Sequence, residues 1–218
     1  HRVSRRQRQM CIRDRYSEWL HLIVRWVHII VGVAWIGTSF YFNWLDSRLE
    51  RDDPDFKHLD GYLWSVHSGG FYRIEKLKGP PKKLPKVLHW FKWEAYATWI
   101  SGFVLLILVY YLNASSMMLG ASGIILTPFQ AILISIFLLI GSWLLYDYLC
   151  KNVLKDNEQT LIATGVLLFV LLSYFLTQIY GSRAAYIHVG AIIGTIMAAN
   201  VFRVCLLYTS PSPRDVVP

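Results

Sequence analysis

Cysteine is scarce in this chain of 218 residues, and its scarcity excludes several kinds of site. Of the three cysteines, Cys11 and Cys205 lie close to the ends, which leaves Cys150 alone in the body of the sequence. One cysteine excludes a disulfide framework, a zinc finger and a C-x-x-C-H haem attachment motif in that body. Internal repeats and low-complexity tracts are also lacking, so the chain does not read as a repeat protein.

Acidic residues are fewer than basic ones, at 14 against 22, which gives a formal net charge of +8. The first fifteen residues hold six arginines and one aspartate, and so contribute much of that excess. This start, with RQRQMCIRDR, and the end, with CLLYTSPSPRD, resemble translated sequencing-adapter read-through. We therefore predict artefactual flanks at 1–15 and 205–218 around a transmembrane domain at 16–204, truncated at both ends. The remaining charge of about +3 does not indicate nucleic-acid binding.

Apolar residues dominate what is present. They make up 55% of the chain, and aromatic residues make up 15%, which is typical of an integral membrane protein. A helix needs about 20 mostly apolar residues to cross a bilayer. The first apolar run is too long for a signal peptide and lacks a small-residue cleavage site. We predict an all-α fold, a polytopic transmembrane helix bundle with spans at about 19–45, 91–112, 124–149, 159–180 and 184–204.

The longest predicted connection, at 46–90, is polar and basic. Gly69-Gly70 and Gly79-Pro80-Pro81 indicate turns, and the alternation in FYRIEKL favours a short strand. This loop holds nine Lys and Arg residues, whereas 113–123 holds none. Because basic loops stay in the cytoplasm, we predict a cytoplasmic 46–90 loop and a periplasmic native N-terminus.

The first predicted span carries ionisable side chains on one helical face. The residues that step by three or four along this face are His21, Arg25, His28, Gly32, Trp35 and Ser39. Ionisable groups in a spanning helix usually face the bundle interior, and neutral imidazole is an axial ligand of haem iron. In the predicted orientation, His188 of the fifth span lies at a similar depth. We predict a haem b held by His28 and His188, with His21 as a further candidate ligand. The alternative is that each imidazole bonds to a polar group on a neighbouring helix.

Other polar and small residues in the spans suit structural roles. Glu94 favours an ion pair with Lys92 or a basic loop residue, with proton handling as the alternative. Asp147 is predicted as an interfacial anchor. The four-residue spacing of Gly190, Gly194 and Ala198 favours close helix packing.

The loop block SVHSGGFYRIEKLKGPPKKLPK combines a histidine, aromatic residues and many cations. Cations favour an anionic ligand, and aromatic rings stack on a planar one. The alternative is that these residues only fix the topology and contact lipid head groups.

Three stretches resemble the membrane-bound urate oxidase family of bacteria, also called cytochrome-c-linked urate hydroxylase. They are WLHLIVRWVHIIVGVAWIGTSFYFNWLDSRL, GYLWSVHSGGFYRIEKLKGPPKKLPKVLHWFKWEAYATWISG and HVGAIIGTIMAANVF. The resemblance implies a bundle of about eight helices in the inner membrane, followed by a periplasmic cytochrome c domain. It implies oxidation of urate to 5-hydroxyisourate in purine catabolism, with electrons passing to haem c. This sequence departs by stopping after the fifth span, so we expect the chain alone to be inactive.

Given this resemblance, we predict that His67 and Arg73, with Glu94, handle urate near the cytoplasmic face. Urate is a planar monoanion at neutral pH, and its oxidation needs a base and an electron acceptor. A haem b on His28 and His188 would relay electrons outward. The predicted partners are urate, membrane lipids and a cytochrome c domain or other acceptor, without nucleic acid.

Two alternatives from other classes stay open. The Arg25 and His28 face can line a polar path in a purine or anion transporter or channel-like bundle. The chain can also be a non-catalytic, haem-bearing membrane anchor for a soluble oxidoreductase.

Overall fold

The computed structural model describes residues 5–51, 57–79, 81, 87, 89–119, 126–153 and 158–203. In this part of the chain there are six helices and one two-stranded sheet. The helices are α1 (Arg5–Arg48), α2 (Lys92–Leu105), α3 (Ala114–Met117), α4 (Pro128–Tyr148), α5 (Glu158–Ile179) and α6 (Ser182–Arg203). The strands are β1 (Leu59–His67) and β2 (Gly70–Leu77). Wider π-helical turns extend α2 over Leu106–Tyr111 and α4 over Leu149–Val153.

Five of the described helices are long and apolar enough to cross a membrane, which confirms the predicted fold class. Their candidate spans are Arg15–Arg48, Lys92–Tyr111, Pro128–Asn152, Gln159–Ile179 and Ser182–Arg203. The third span begins at Pro128 rather than at 124. The Thr127 hydroxyl accepts the Gln130 backbone N–H, and the Gln130 side chain bonds back to the Thr127 N–H, so a capping box fixes the start. Residues 124, 125 and 204, which our spans included, lie outside the described residues.

Helices α2 and α6 form the centre of the bundle. Helix α1 packs on α2, and both α4 and α5 pack on α6. The densest core lies where α2, α4 and α6 meet the turn between α5 and α6. There the Tyr180 hydroxyl donates to the Ala131 carbonyl at 2.8 Å, and burial raises the pKa of Tyr180. A tyrosine side chain can be buried in an apolar helix bundle when its hydroxyl has a hydrogen-bond partner.

The 46–90 connection contains a β-hairpin. Strand β2 confirms the strand predicted from FYRIEKL, and its antiparallel partner β1 was not predicted. Ser68 and Gly69 form the tight turn with φ values of 52° and 78°, the left-handed pair that suits a two-residue hairpin. Residues His67 and Gly70 face each other beside this turn.

The base of the hairpin rests on the end of α1. Backbone bonds of 2.8 and 3.1 Å join Glu50 and Tyr62 in both directions. A Cβ atom at Gly61 would lie 2.8 Å from the Leu49 Cβ, so the close approach requires glycine. The Lys76 ammonium donates to Asp46 at 2.9 Å, and this bond, with a second to Asp60, raises the pKa of Lys76. The hairpin is therefore fixed to the end of the first span.

Candidate functional site

A cavity of about 660 Å³ lies inside the bundle, between α1, α2 and α6. Arg25, His28 and Trp35 line it from α1, in agreement with the face predicted for that helix. Along α6 the lining runs from Arg183 to Thr195, which is about 18 Å of helix. Of the predicted residues of this α1 face, His21, Gly32 and Ser39 do not line the cavity.

The His28 imidazole is held against α2. Its Nδ1 lies 3.1 Å from the Thr98 carbonyl oxygen and 3.1 Å from the Ser101 hydroxyl oxygen. A carbonyl only accepts, and the Ser101 hydroxyl already donates to the Ala97 carbonyl at 2.6 Å. We therefore assign the proton to Nδ1, which leaves Nε2 as a lone-pair acceptor without a hydrogen-bond partner among the described residues.

Gly102 makes room for this imidazole. A Cβ atom at position 102 would lie 2.9 Å from the His28 Cε1, closer than side chains normally approach. The absence of a side chain here decides where the His28 ring can lie.

Among the described residues, the guanidinium groups of Arg25 and Arg183 line the cavity, and no described Asp or Glu lines it. Neither group has a hydrogen bond or an ion pair with a described residue. The predicted fifth span began at 184, so Arg183 lay outside it and was missed. The signal that was available is its place at the start of the fifth span, on the same side of the membrane as Arg25.

Aromatic residues of α2 and glycines of α6 both line the cavity. The rings of Trp99 and Phe103 stack with centroids 5.5 Å apart and an interplanar angle of 4°, and the Trp99 indole N–H donates to the Thr195 hydroxyl. Cβ atoms at Gly190 and Gly194 would meet no heavy atom within 4 Å. Our prediction that these glycines allow close helix packing was therefore wrong. They face the cavity, and only Ala198 of that pattern is buried.

Comparison with protein families gives one match: the sequence model of the urate oxidase N-terminal family matches residues 14–217. The chain belongs to the urate oxidase N-terminal family. Comparison with curated proteins and with solved structures finds no match. Family membership relates the chain to urate oxidation and, more broadly, to oxidoreductases.

In this member of the urate oxidase N-terminal family, the predicted haem ligands do not meet. His188 is 1% exposed and packs beside Tyr180 and Tyr110, outside the cavity lining. His28 contacts Ser101, whereas His188 packs beside Tyr110, nine residues further along the same helix and its π-helical extension. The haem b between His28 and His188 stays a prediction.

His28 lines the cavity and His188 does not, so the structure does not bring the two predicted ligands into one cavity. The His188 Nδ1–H donates to the Ala184 carbonyl at 2.7 Å, and its Nε2 is buried without a partner in the core. His21, two turns before His28, also lies outside the cavity lining. Among the described residues, no group of three or more His, Cys, Asp or Glu side chains is placed to hold a metal ion.

The structure separates the three residues predicted to handle urate. His67 is exposed at the hairpin tip. Arg73 pairs with Glu75 at 3.0 Å and lies over the rings of Tyr62 and Trp64. Glu94, in the first turn of α2, accepts from His89 of the 46–90 loop at 3.2 Å, and its second oxygen is buried without a partner. No contact joins these side chains to one another.

Proposed function

We propose that this chain is the membrane part of an enzyme that oxidises urate to 5-hydroxyisourate. The observation that supports it most strongly is the family match over 14–217, which spans all five membrane-length helices. The basic, aromatic cavity inside the bundle agrees with a planar anionic substrate.

The proposed reaction adds the oxygen of water to urate and releases two protons and two electrons. A cytochrome c domain beyond residues 1–218 accepts the electrons singly, so each urate reduces two ferric haems to ferrous haems. We infer this cytochrome c domain from the resemblance to the membrane-bound urate oxidase family. We place it on the periplasmic side of the inner membrane, where an even number of helices would deliver it.

The test is to express the complete gene in bacterial membranes and to add urate. We expect reduction of a c-type haem that depends on urate, with two haems reduced for each 5-hydroxyisourate formed. Urate that leaves the haem spectrum unchanged, in membranes that contain the folded protein, would contradict the proposal.

A transporter is the second candidate, because Arg25 and His28 line a cavity between membrane-length helices. Proteoliposomes separate the two functions. A transporter would accumulate labelled urate unchanged inside the vesicles, whereas the enzyme would convert it to 5-hydroxyisourate. Net uptake without conversion would favour transport.

A further inference from the structure

We propose that the cavity between α1, α2 and α6 is the urate site, where Arg25 holds the anion, Arg183 attracts it at the outer end of the cavity, and His28 accepts a proton from it. This inference rests on the proposed function and names the site that performs it. It replaces the hairpin and Glu94, where we predicted the site from the sequence.

The charge of the cavity favours an anion. Both side chains are exposed, and Arg25 and Arg183 line the cavity without an acidic neighbour among the described lining residues and without a described hydrogen-bond partner. An arginine within a membrane span is unfavourable unless a partner compensates its charge. A monoanion with several carbonyl oxygens offers such a partner, because guanidinium groups bind paired oxygens with two parallel hydrogen bonds.

The shape of the cavity favours a planar ring. The parallel rings of Trp99 and Phe103 form a flat wall, and Trp99 is held by its bond to Thr195. Gly190 and Gly194 leave the facing side of α6 open. A fused bicyclic ligand can stack on the aromatic wall with one edge toward Arg25.

The hydrogen bonds of His28 prepare it to act as a base. Thr98 and Ser101 hold the proton on Nδ1, so Nε2 presents a lone pair. In the proposed step a urate N–H donates its proton to Nε2, and the electron pair of that bond stays on urate. The imidazolium that forms keeps its Nδ1–H bonded to α2, and the electrons leave urate for the haem acceptor.

The hairpin offers no comparable enclosure. The Arg73 guanidinium is already engaged with Glu75 and two aromatic rings. His67 is exposed at the turn, and its Nδ1 lies 3.2 Å from the hydroxyl of the adjacent Ser68.

The experiment measures urate binding by equilibrium dialysis and turnover by haem reduction, with the complete protein in detergent. Arg25→Gln should weaken binding roughly 10- to 100-fold, because it removes a charge-assisted hydrogen bond, and Arg183→Gln at the outer end of the cavity should weaken binding less. Arg48→Gln, on α1 outside the cavity lining, is the control. His28→Ala should lower kcat roughly 100-fold or more and change the dissociation constant far less.

A filled cavity gives a test that changes no charge. Gly194→Leu should abolish urate binding, whereas Gly165→Leu should not. Both glycines are helical with open space around the added Cβ, but only Gly194 lines the cavity. Thermal unfolding of both variants shows whether each is folded.

The outcomes separate the site from the function. If the parent oxidises urate and all cavity variants bind it as the parent does, the site is elsewhere and the proposed function stands. If the parent neither binds nor oxidises urate, the proposed function fails. If urate binds in the cavity but is never oxidised, the site stands and the enzyme proposal fails.

Discussion

At the scale of single residues, Gly102 determines the position of the His28 imidazole. Gly102→Ala would place a Cβ atom 2.9 Å from the His28 Cε1 and push the ring away from Thr98 and Ser101. Overpacking of this kind costs about 1–3 kcal/mol. We expect a lower melting temperature and a lower kcat. No second substitution on the hairpin should restore turnover.

The control for Gly102→Ala is Gly37→Ala on α1, where the added Cβ meets no heavy atom within 4 Å. It should leave turnover unchanged and stabilise the helix by up to about 1 kcal/mol, because alanine favours helix more than glycine does. Equal effects of the two substitutions on kcat would show that Gly102 does not position His28. Thermal unfolding in detergent and haem reduction by urate are the measurements.

His188 is a residue whose replacement should be tolerated. Its Nε2 is buried without a partner, and such an atom costs about 1–3 kcal/mol. His188→Phe removes that atom and keeps an aromatic ring beside Tyr180 and Tyr110. We expect a free energy of unfolding that is equal or higher, and unchanged haem content. A loss of haem on this substitution would contradict our assignment and restore His188 as a ligand.

Single residues show which parts of the candidate site could be predicted from the sequence. The one-face spacing of Arg25, His28 and Trp35 is set by the helical repeat, so it was predicted and the cavity confirms it. Gly102 and Arg183 were missed because their roles depend on which faces of α2 and α6 turn toward α1. The rotation of each helix about its axis is set by its packing against other helices. The residue pattern of one helix does not reveal that packing.

At the scale of elements, the spans were predictable because each follows from length and apolar content alone. Strand β1 was not predicted because it contains Gly61, and its apolar residues lie on both faces. The glycine is explained by its approach to Leu49 at the end of α1, a contact between segments that local alternation does not reveal.

The pairing of α4 with α6 gives a prediction for Asp147, the anchor expected from the sequence. Its carboxylate bonds to Lys151 at 2.9 Å and to Arg203 of α6, with side chains about one quarter exposed on Asp147 and Arg203. Asp147→Asn should lower the free energy of unfolding by about 1–3 kcal/mol, between the values for exposed and buried pairs. Thermal unfolding in detergent followed by circular dichroism measures the change.

Glu75→Gln is the matched control for Asp147→Asn. It also changes a carboxylate into an amide, but its pair with Arg73 lies on the exposed hairpin. We expect about 0–1 kcal/mol from this exposed pair. If both variants lose equally little stability, the Asp147 pair does not hold α4 to α6.

At the scale of the whole molecule, the axial offset between helices separates His188 from the cavity that His28 lines. Helix α6 follows α5 through Tyr180 and Gly181, and the Gly181 N–H donates to the Met118 carbonyl. This bond sets the start of α6 level with the far end of α2, so His188 meets Tyr110 rather than Ser101. The order of residues in each span predicts the direction in which the helix crosses the membrane. It does not predict how far neighbouring helices are shifted along their axes.

The orientation of the bundle is the last prediction. The basic hairpin side should be cytoplasmic, and the 113–123 side, which has no Lys or Arg, should be periplasmic. The test places one cysteine on each side in a protein whose native cysteines are changed to serine. Val66→Cys reports the exposed hairpin and Ser116→Cys reports the exposed α3.

An impermeant maleimide should label Ser116→Cys in intact cells and Val66→Cys only after lysis. The reverse pattern would invert the bundle. In the expected orientation, Arg183 in the first turn of α6 lies toward the periplasm, so the cavity extends from that side toward the membrane centre. Electrons released in the cavity would then have the shorter path to a periplasmic haem, which joins the proposed site to the proposed acceptor.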